Sequence, residues 1–197
     1  INYKEFVKNK VFHVILSGGE PLSKFKDLCY ALEKLVTNNI STSLNSNLML
    51  ATPEKMKKLK DIGLDHVLTS WFSYFPIETD YITKYKGSYQ KIIDGIKTTV
   101  NAGIRVSANT IVTQHNKDTI YKSGKFLHSI GVTQFFAHRV IPPAYDRKDK
   151  ESQHYVTIKE AKKSLDELLK LKKEFGMSVG TLINYPLCMI GDLEKYQ

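Results

Sequence analysis

The amino-acid sequence predicts an α/β fold built on parallel strands. Two observations carry this. Short apolar segments of strand length alternate with longer ones whose apolar residues recur at helical spacing. The joints between them carry the residues that start and stop helices. The alternation reads βα five times, followed by one more strand. Such a chain builds right-handed crossovers between parallel strands, closed into a partial barrel or open as a doubly wound sheet. In both, the carboxyl ends of the strands share one rim, where ligands bind.

The elements follow in order. Residues 12–17 (FHVILS) form the first strand, and Leu22, Phe25, Leu28, Cys29, Leu32, Leu35 and Val36 stripe the first helix. Residues 40–46 form the second strand. Thr52 caps the next helix, Pro53 occupies its first position, and Gly63 ends it. Met56, Leu59 and Ile62 give that helix its buried face. A third strand covers 65–70, and a polar, aromatic loop is expected from Trp71 to Ser88. Ile92, Ile93, Ile96 and Val100 mark a helix closed by Gly103. Strand 104–112 follows, then a helix over 117–130 and a strand over 132–140. A long charged loop spans Ile141 to Val156. Thr157 and Glu160 spell a capping box for a helix running to Phe175. The last strand is expected at 177–183.

Composition narrows the function classes. The chain has 197 residues, 42% of them hydrophobic, enough for one sizeable core. No apolar run approaches the ~20 residues of a membrane span, and the first residues have no signal-peptide core. The first residue is Ile1, which reads as a fragment, a processed chain or an incompletely ordered one. The net charge is +9, spread over many lysines. That suits solvated helix faces or an acidic partner. It forms no compact basic motif for nucleic acid. The two cysteines, Cys29 and Cys188, fit no zinc or disulfide spacing, and this suits a reducing cytoplasm. Cys29 lies on an apolar helix stripe and reads as a core thiol. The six histidines show no metal-ligand spacing.

Chemistry is expected after each strand. Ser17-Gly18-Gly19-Glu20-Pro21 follows the first. Two glycines let a ligand approach the backbone, and Glu20 adds a carboxylate suited to an ammonium group. The plainer alternative is a tight turn with Pro21 starting a helix. On the fourth strand, Ser107, Asn109 and Ile111 share one face, while Val106, Ala108, Thr110 and Val112 share the more apolar other. Ser107 and Asn109 should therefore face away from the helices.

The string LSGGEPL (16–22) resembles the GGE motif of the radical S-adenosylmethionine (radical SAM) superfamily. Ser46-Asn47-Leu48-Met49-Leu50 is similar to its TNGTLL-type segment. Ser70, Asp80, Gly87, Ser88, Gly95 and Ile96 match, without gaps, its pattern around VSLDG, HD, KGSF and GI. Residues 107–113 resemble the following Asn-bearing strand, Asn116 the Asn after it, and Arg139 to Pro142 its R-x-x-P.

The resemblance implies a partial TIM-like (β/α)6 radical SAM barrel with parallel strands over residues 1–183. Residues 184–197 would begin a SPASM- or twitch-like extension, with Cys188 a candidate auxiliary-cluster ligand. The implied cofactors are S-adenosylmethionine and a [4Fe–4S] cluster. Gly18, Gly19 and Glu20 would hold the SAM ammonium, and Ser46 and Ser70 would contact its carboxylate or ribose. Asn47, Ser107 and Asn109 complete the cofactor-binding set. No catalytic residue is assigned. The implied partners are a peptide or protein substrate and a reductase or flavodoxin-type electron donor.

The departures are specific. Leu48 stands for the Gly of TNG, Phe72 for the Asp of SLDG, and Thr83 for a basic residue. The aromatic run at Trp71 and Phe72 is expected to shape a substrate pocket. The family's CxxxCxxC motif lies upstream of its GGE motif, and no Cys precedes Ser17 here. The chain alone is therefore expected to be inactive. One competing reading is a non-catalytic barrel that binds an amine-bearing ligand. Another is a phosphate-binding α/β enzyme, against which the lack of GxGxxG or GxxxxGK[ST] argues.

Overall fold

A computed structural model describes residues 3–140, 154–181 and 185. Its six strands are β1 (His13–Leu16), β2 (Ser41–Asn45), β3 (His66–Ser70), β4 (Arg105–Val112), β5 (Gln134–Arg139) and β6 (Ser178–Gly180). They form one parallel sheet in chain order. The helices are α1 (Tyr3–Lys8), α2 (Phe25–Val36), α3 (Pro53–Ile62), α4 (Pro76–Thr83), α5 (Ser88–Asn101), α6 (Ile120–Ser129) and α7 (Ile158–Phe175). A 3-10 turn, Pro21–Lys24, leads into α2.

The chain divides into two compact units. The first comprises Ile1–Ser70, Gly87–Ser107 and Ile130–Val132, and the second the remainder. In the first unit α2 buries Leu28, Ala31, Leu32 and Leu35, spaced as one helix face requires. Each such leucine contributes roughly 1.5–3 kcal/mol on burial. Thr52 Oγ1 accepts a hydrogen bond from Lys55 N to start α3, and Gly63 closes it at φ +122°. The sheet alternates as a strand surface must. Leu16, Thr42, Leu44, Val67, Thr69 and Val106 are buried on one face, while His13, Ser41, His66 and Ser70 on the other keep some exposure.

In the second unit α7 lies against α6, β5 and β6. Its approach to α6 depends on Gly124, where a Cβ would stand 2.1 Å from Leu171 Cδ1. Thr157 and Glu160 form the expected capping box, and Gly176 ends α7 in the left-handed conformation.

Three expectations change. The loop expected from Trp71 to Ser88 contains α4, whose sequence lacks an inward apolar stripe. Helix α6 starts at Ile120 rather than Lys117, because Asn116 O accepts from Thr119 N at 2.9 Å and folds the intervening residues into a turn, while Asn116 Oδ1 accepts from Thr113 N at 2.9 Å. Cys29 is half-buried at the edge of the α2 face, not in the core, and its partial burial pushes the thiol pKa up. Residues 182–183 of the expected last strand lie outside the described residues. So do Ile141, Pro142, Cys188 and residues 141–153 of the charged loop.

Candidate functional site

In the first unit one carboxylate joins the loop after β1 to the loop after β2. Glu20 has extended backbone at the start of the 3-10 turn, and its Oε1 accepts from Leu22 N at 3.0 Å. The same oxygen accepts from Ser46 Oγ at 2.7 Å, and Oε2 accepts from Asn47 N at 2.9 Å. A carboxylate offers about four lone-pair positions, so these donors leave one on Oε2. Gly18 and Gly19, just before it, are exposed, and a Cβ at either would meet nothing within 4 Å.

The β2 loop is folded by its own side chains. Ser46 Oγ accepts from Leu48 N at 3.0 Å, and Asn47 Oδ1 accepts from Met49 N at 2.9 Å. Leu48 sits in the left-handed region, φ +59°, with its side chain fully buried. The conformation costs a non-glycine residue about 1–2 kcal/mol. Burying the leucine contributes roughly 1.5–3 kcal/mol, which explains how Leu stands where a glycine is expected. Its carbonyl lies against α5 at Gly95, where a Cβ would be 2.1 Å from Leu48 O.

Ser70 ends β3 and is exposed. Ser107 lies near the start of β4, fully buried, with Oγ 2.7 Å from His66 Nε2. Nearby on the same sheet face, His13 Nδ1 lies 3.0 Å from Ser41 Oγ and its Nε2 3.1 Å from Ser43 Oγ. Burial, then the Arg105 guanidinium, hold the His66 pKa below the usual imidazole range. Metal-ligand spacing is the wrong test for these histidines. Period-two alternation across neighbouring strands is the signal that places His13, Ser41, Ser43, His66 and Ser107 on one face.

Asn109 belongs to the second unit. Its carbonyl accepts from Trp71 N at 2.8 Å, and its Oδ1 is buried without a hydrogen-bond partner among the described residues. Asn116 is a buried clamp: Nδ2 donates to Phe72 O at 2.8 Å and to Ile111 O at 2.9 Å. Trp71 is buried, with its ring centroid 5.8 Å from that of Phe126. Among the described residues no group of three or more His, Cys, Asp or Glu is placed to hold a metal ion. No helix among them is long and apolar enough to cross a membrane.

The family model of the radical SAM superfamily matches residues 2–127. The chain belongs to the radical SAM superfamily. It is 30% identical over 110 residues to the PqqA peptide cyclase of Rhizobium meliloti (strain 1021), covering 56% of this chain and 29% of that protein. It is 34% identical over 90 residues to the probable GTP 3′,8-cyclase of Methanocella arvoryzae, covering 45% of this chain and 28% of that protein. The chain thus spans under a third of the length of these relatives. Among solved structures, Streptococcus suis SuiB bound to precursor peptide SuiA superposes with a TM-score of 0.70 at 14% identity, over 93% of this chain and 41% of that one. The fold class is therefore the expected partial TIM-like (β/α)6 radical SAM barrel.

Membership of this superfamily implies SAM and a [4Fe–4S] cluster as cofactors. The cluster does not fit the residues present. It takes three thiolates in the family's motif, and the chain carries Cys29 on α2 and Cys188.

Proposed function

We propose that this chain forms the SAM-binding part of an enzyme that cleaves SAM reductively and modifies a peptide or protein. The observation that carries the proposal is the Glu20 carboxylate, which fastens Ser46 and Asn47 beside the open Gly18-Gly19 backbone. SAM, when bound, would supply the radical chemistry of such an enzyme, and the residues that would hold it here are Gly18, Gly19, Glu20, Ser46 and Ser70.

The chain's own residues bind and orient. An ammonium group requires acceptors, and the Gly18 and Gly19 carbonyls with the remaining Oε2 lone pair of Glu20 provide them. Ser46 and Ser70 serve the methionyl carboxylate or ribose. Asn47 shapes its loop, and Ser107 and Asn109 complete the cofactor-binding set. Because Glu20 also closes two loops, it orders the cradle before SAM arrives, which limits the entropy lost on binding.

Likeness to a peptide cyclase, and to a protein solved with a precursor peptide, supports a peptide substrate. The enzyme is read as an oxidoreductase or maturase of the cytoplasm, supplied with electrons by a reductase or flavodoxin-type donor. Residues 184–197 are read as the start of a SPASM- or twitch-like extension, with Cys188 a candidate auxiliary-cluster ligand. Family membership does not favour the non-catalytic binding module.

Titration calorimetry with SAM on the complete protein tests the cradle. Glu20→Ala is expected to lower affinity about tenfold or more, the effect of a charge-assisted hydrogen bond worth roughly 1.5–3 kcal/mol. Glu20→Gln keeps an acceptor for Ser46 Oγ and Leu22 N but removes the charge and the acceptor for Asn47 N, so it should lose much of the same affinity. Unchanged affinity in both variants would reduce the loop to a turn.

A further inference from the structure

Four lysines crowd α3: Lys55, Lys57, Lys58 and Lys60. Three of them are exposed, and Lys58 pairs loosely with Glu33 of α2 at 3.9 Å. Lys55 differs. It is half-buried, and its ammonium reaches back to the loops of the first unit. Lys55 Nζ donates to Leu50 O at 3.2 Å and to Leu22 O at 3.5 Å, and it lies 5.6 Å from the centre of the Phe25 ring. A lysine ammonium has three donors. Two carbonyls and one aromatic face within cation–π range engage them.

The segments it touches are the ones that Glu20 joins. Leu22 belongs to the 3-10 turn after β1, Phe25 opens α2, and Leu50 lies in the loop after β2. Leu22 is the shared residue: its N–H donates to Glu20 Oε1, and its carbonyl accepts from Lys55. In the β2 loop Glu20 holds Ser46 and Asn47, while Lys55 holds Leu50. Between these two grips stands Leu48 at φ +59°. A strained residue of this kind persists only where its surroundings fix it.

Helix α3 can supply the second grip because its own start is fixed. Thr52 Oγ1 accepts from Lys55 N at 3.3 Å, and Met56 and Leu59 are fully buried. The core therefore sets the Lys55 backbone, and the side chain ties a rigid helix to two loops.

We propose that Lys55 is a positioning residue for the SAM cradle. Its ammonium braces the loops after β1 and β2 from α3, so that Glu20, Ser46 and Asn47 stand in their binding geometry before the ligand arrives. Lys55 acts through Leu22 and Leu50 and is assigned no contact with SAM. The inference rests on the functional reading above. Ordering the loops in advance limits the conformational entropy lost on binding.

Titration calorimetry with SAM on the complete protein, paired with amide hydrogen exchange on this chain without SAM, tests the brace. Both are made well below the melting temperature of each variant. Lys55→Met keeps the length of the side chain and removes the ammonium. It should lower SAM affinity about three- to tenfold, the scale of one charge-assisted hydrogen bond at a partly exposed site. The amides of Leu22, Asn47 and Leu48 should exchange faster in that variant. Lys57→Met makes the same change of charge at an exposed position of α3 and should alter neither measurement. Added to Glu20→Ala, Lys55→Met should cost less than it does alone, because both act on the same loops. If Glu20→Ala weakens SAM binding while Lys55→Met does not, the inference on Lys55 is overturned and the functional reading stands. Unchanged exchange in Lys55→Met, an equal loss in Lys57→Met, or full additivity with Glu20→Ala would also overturn it. If both Glu20→Ala and Lys55→Met leave SAM affinity unchanged, the functional reading falls, and the positioning role falls with it.

Discussion

Leu48 and Gly95 show how narrowly single residues set the candidate site. Leu48 O sits where a Gly95 Cβ would need to be, and the obstruction is backbone, so no rotamer change relieves it. Gly95→Ala must push the β2 loop away from α5 and disturb Ser46 and Asn47. The expected result is destabilisation of about 1–3 kcal/mol, the range for overpacking a core. A denaturant midpoint equal to wild type would contradict the contact. Much at this scale was readable in the sequence: the Gly-Gly-Glu string announced a ligand loop, and Ser46 and Asn47 fell in the segment that Glu20 grips. The grip itself was hidden, because 26 residues separate Glu20 from Ser46. Asn116 was equally opaque. Its chemistry is the acceptance and donation of bonds to backbone, which any Asn could do and only the fold assigns.

Among the elements, α7 was the most readable and α4 the least. Thr157 and Glu160 advertised a capping box, and they form one. The Lys117 ammonium beside Glu160, followed by the Thr157 N–H and hydroxyl, holds the carboxyl down to about 2 from an ordinary 4.5. A depressed carboxylate pKa stabilises the fold above the unfolded-state value, and this contribution is lost as pH falls through the folded one. Between pH 4.5 and about 2 the melting temperature of wild type should therefore fall more steeply than that of Glu160→Gln. Parallel slopes across that window would show that the Lys117 contact contributes nothing. Helix α4 escaped notice for the opposite reason. Periodicity finds helices that bury an apolar stripe, and this one exposes its Ile and Tyr.

For the whole molecule, alternation of strand and helix was enough to place a parallel sheet but not to order its strands, since a doubly wound sheet and a partial barrel fit the pattern equally. What stayed beyond reach was the division into two compact units, because β4 passes from one to the other without a change in pattern. The chain holds two cysteines against the three thiolates of the family's cluster motif. After anaerobic treatment with iron and sulfide, this chain by itself is expected to release no 5′-deoxyadenosine from SAM, and measurable release would refute that. The two faces of the sheet have a further consequence. Along β1 to β4, one set of alternate positions is committed to holding the helices, and many of the positions between carry hydroxyls, amides and imidazoles, as at His13, Ser43, His66, Ser107 and Asn109. Folding and recognition are thus written on interleaved letters of the same words. One set can be rewritten while the other is read unchanged, so a scaffold of this kind can take up a new substrate without first having to find a new shape.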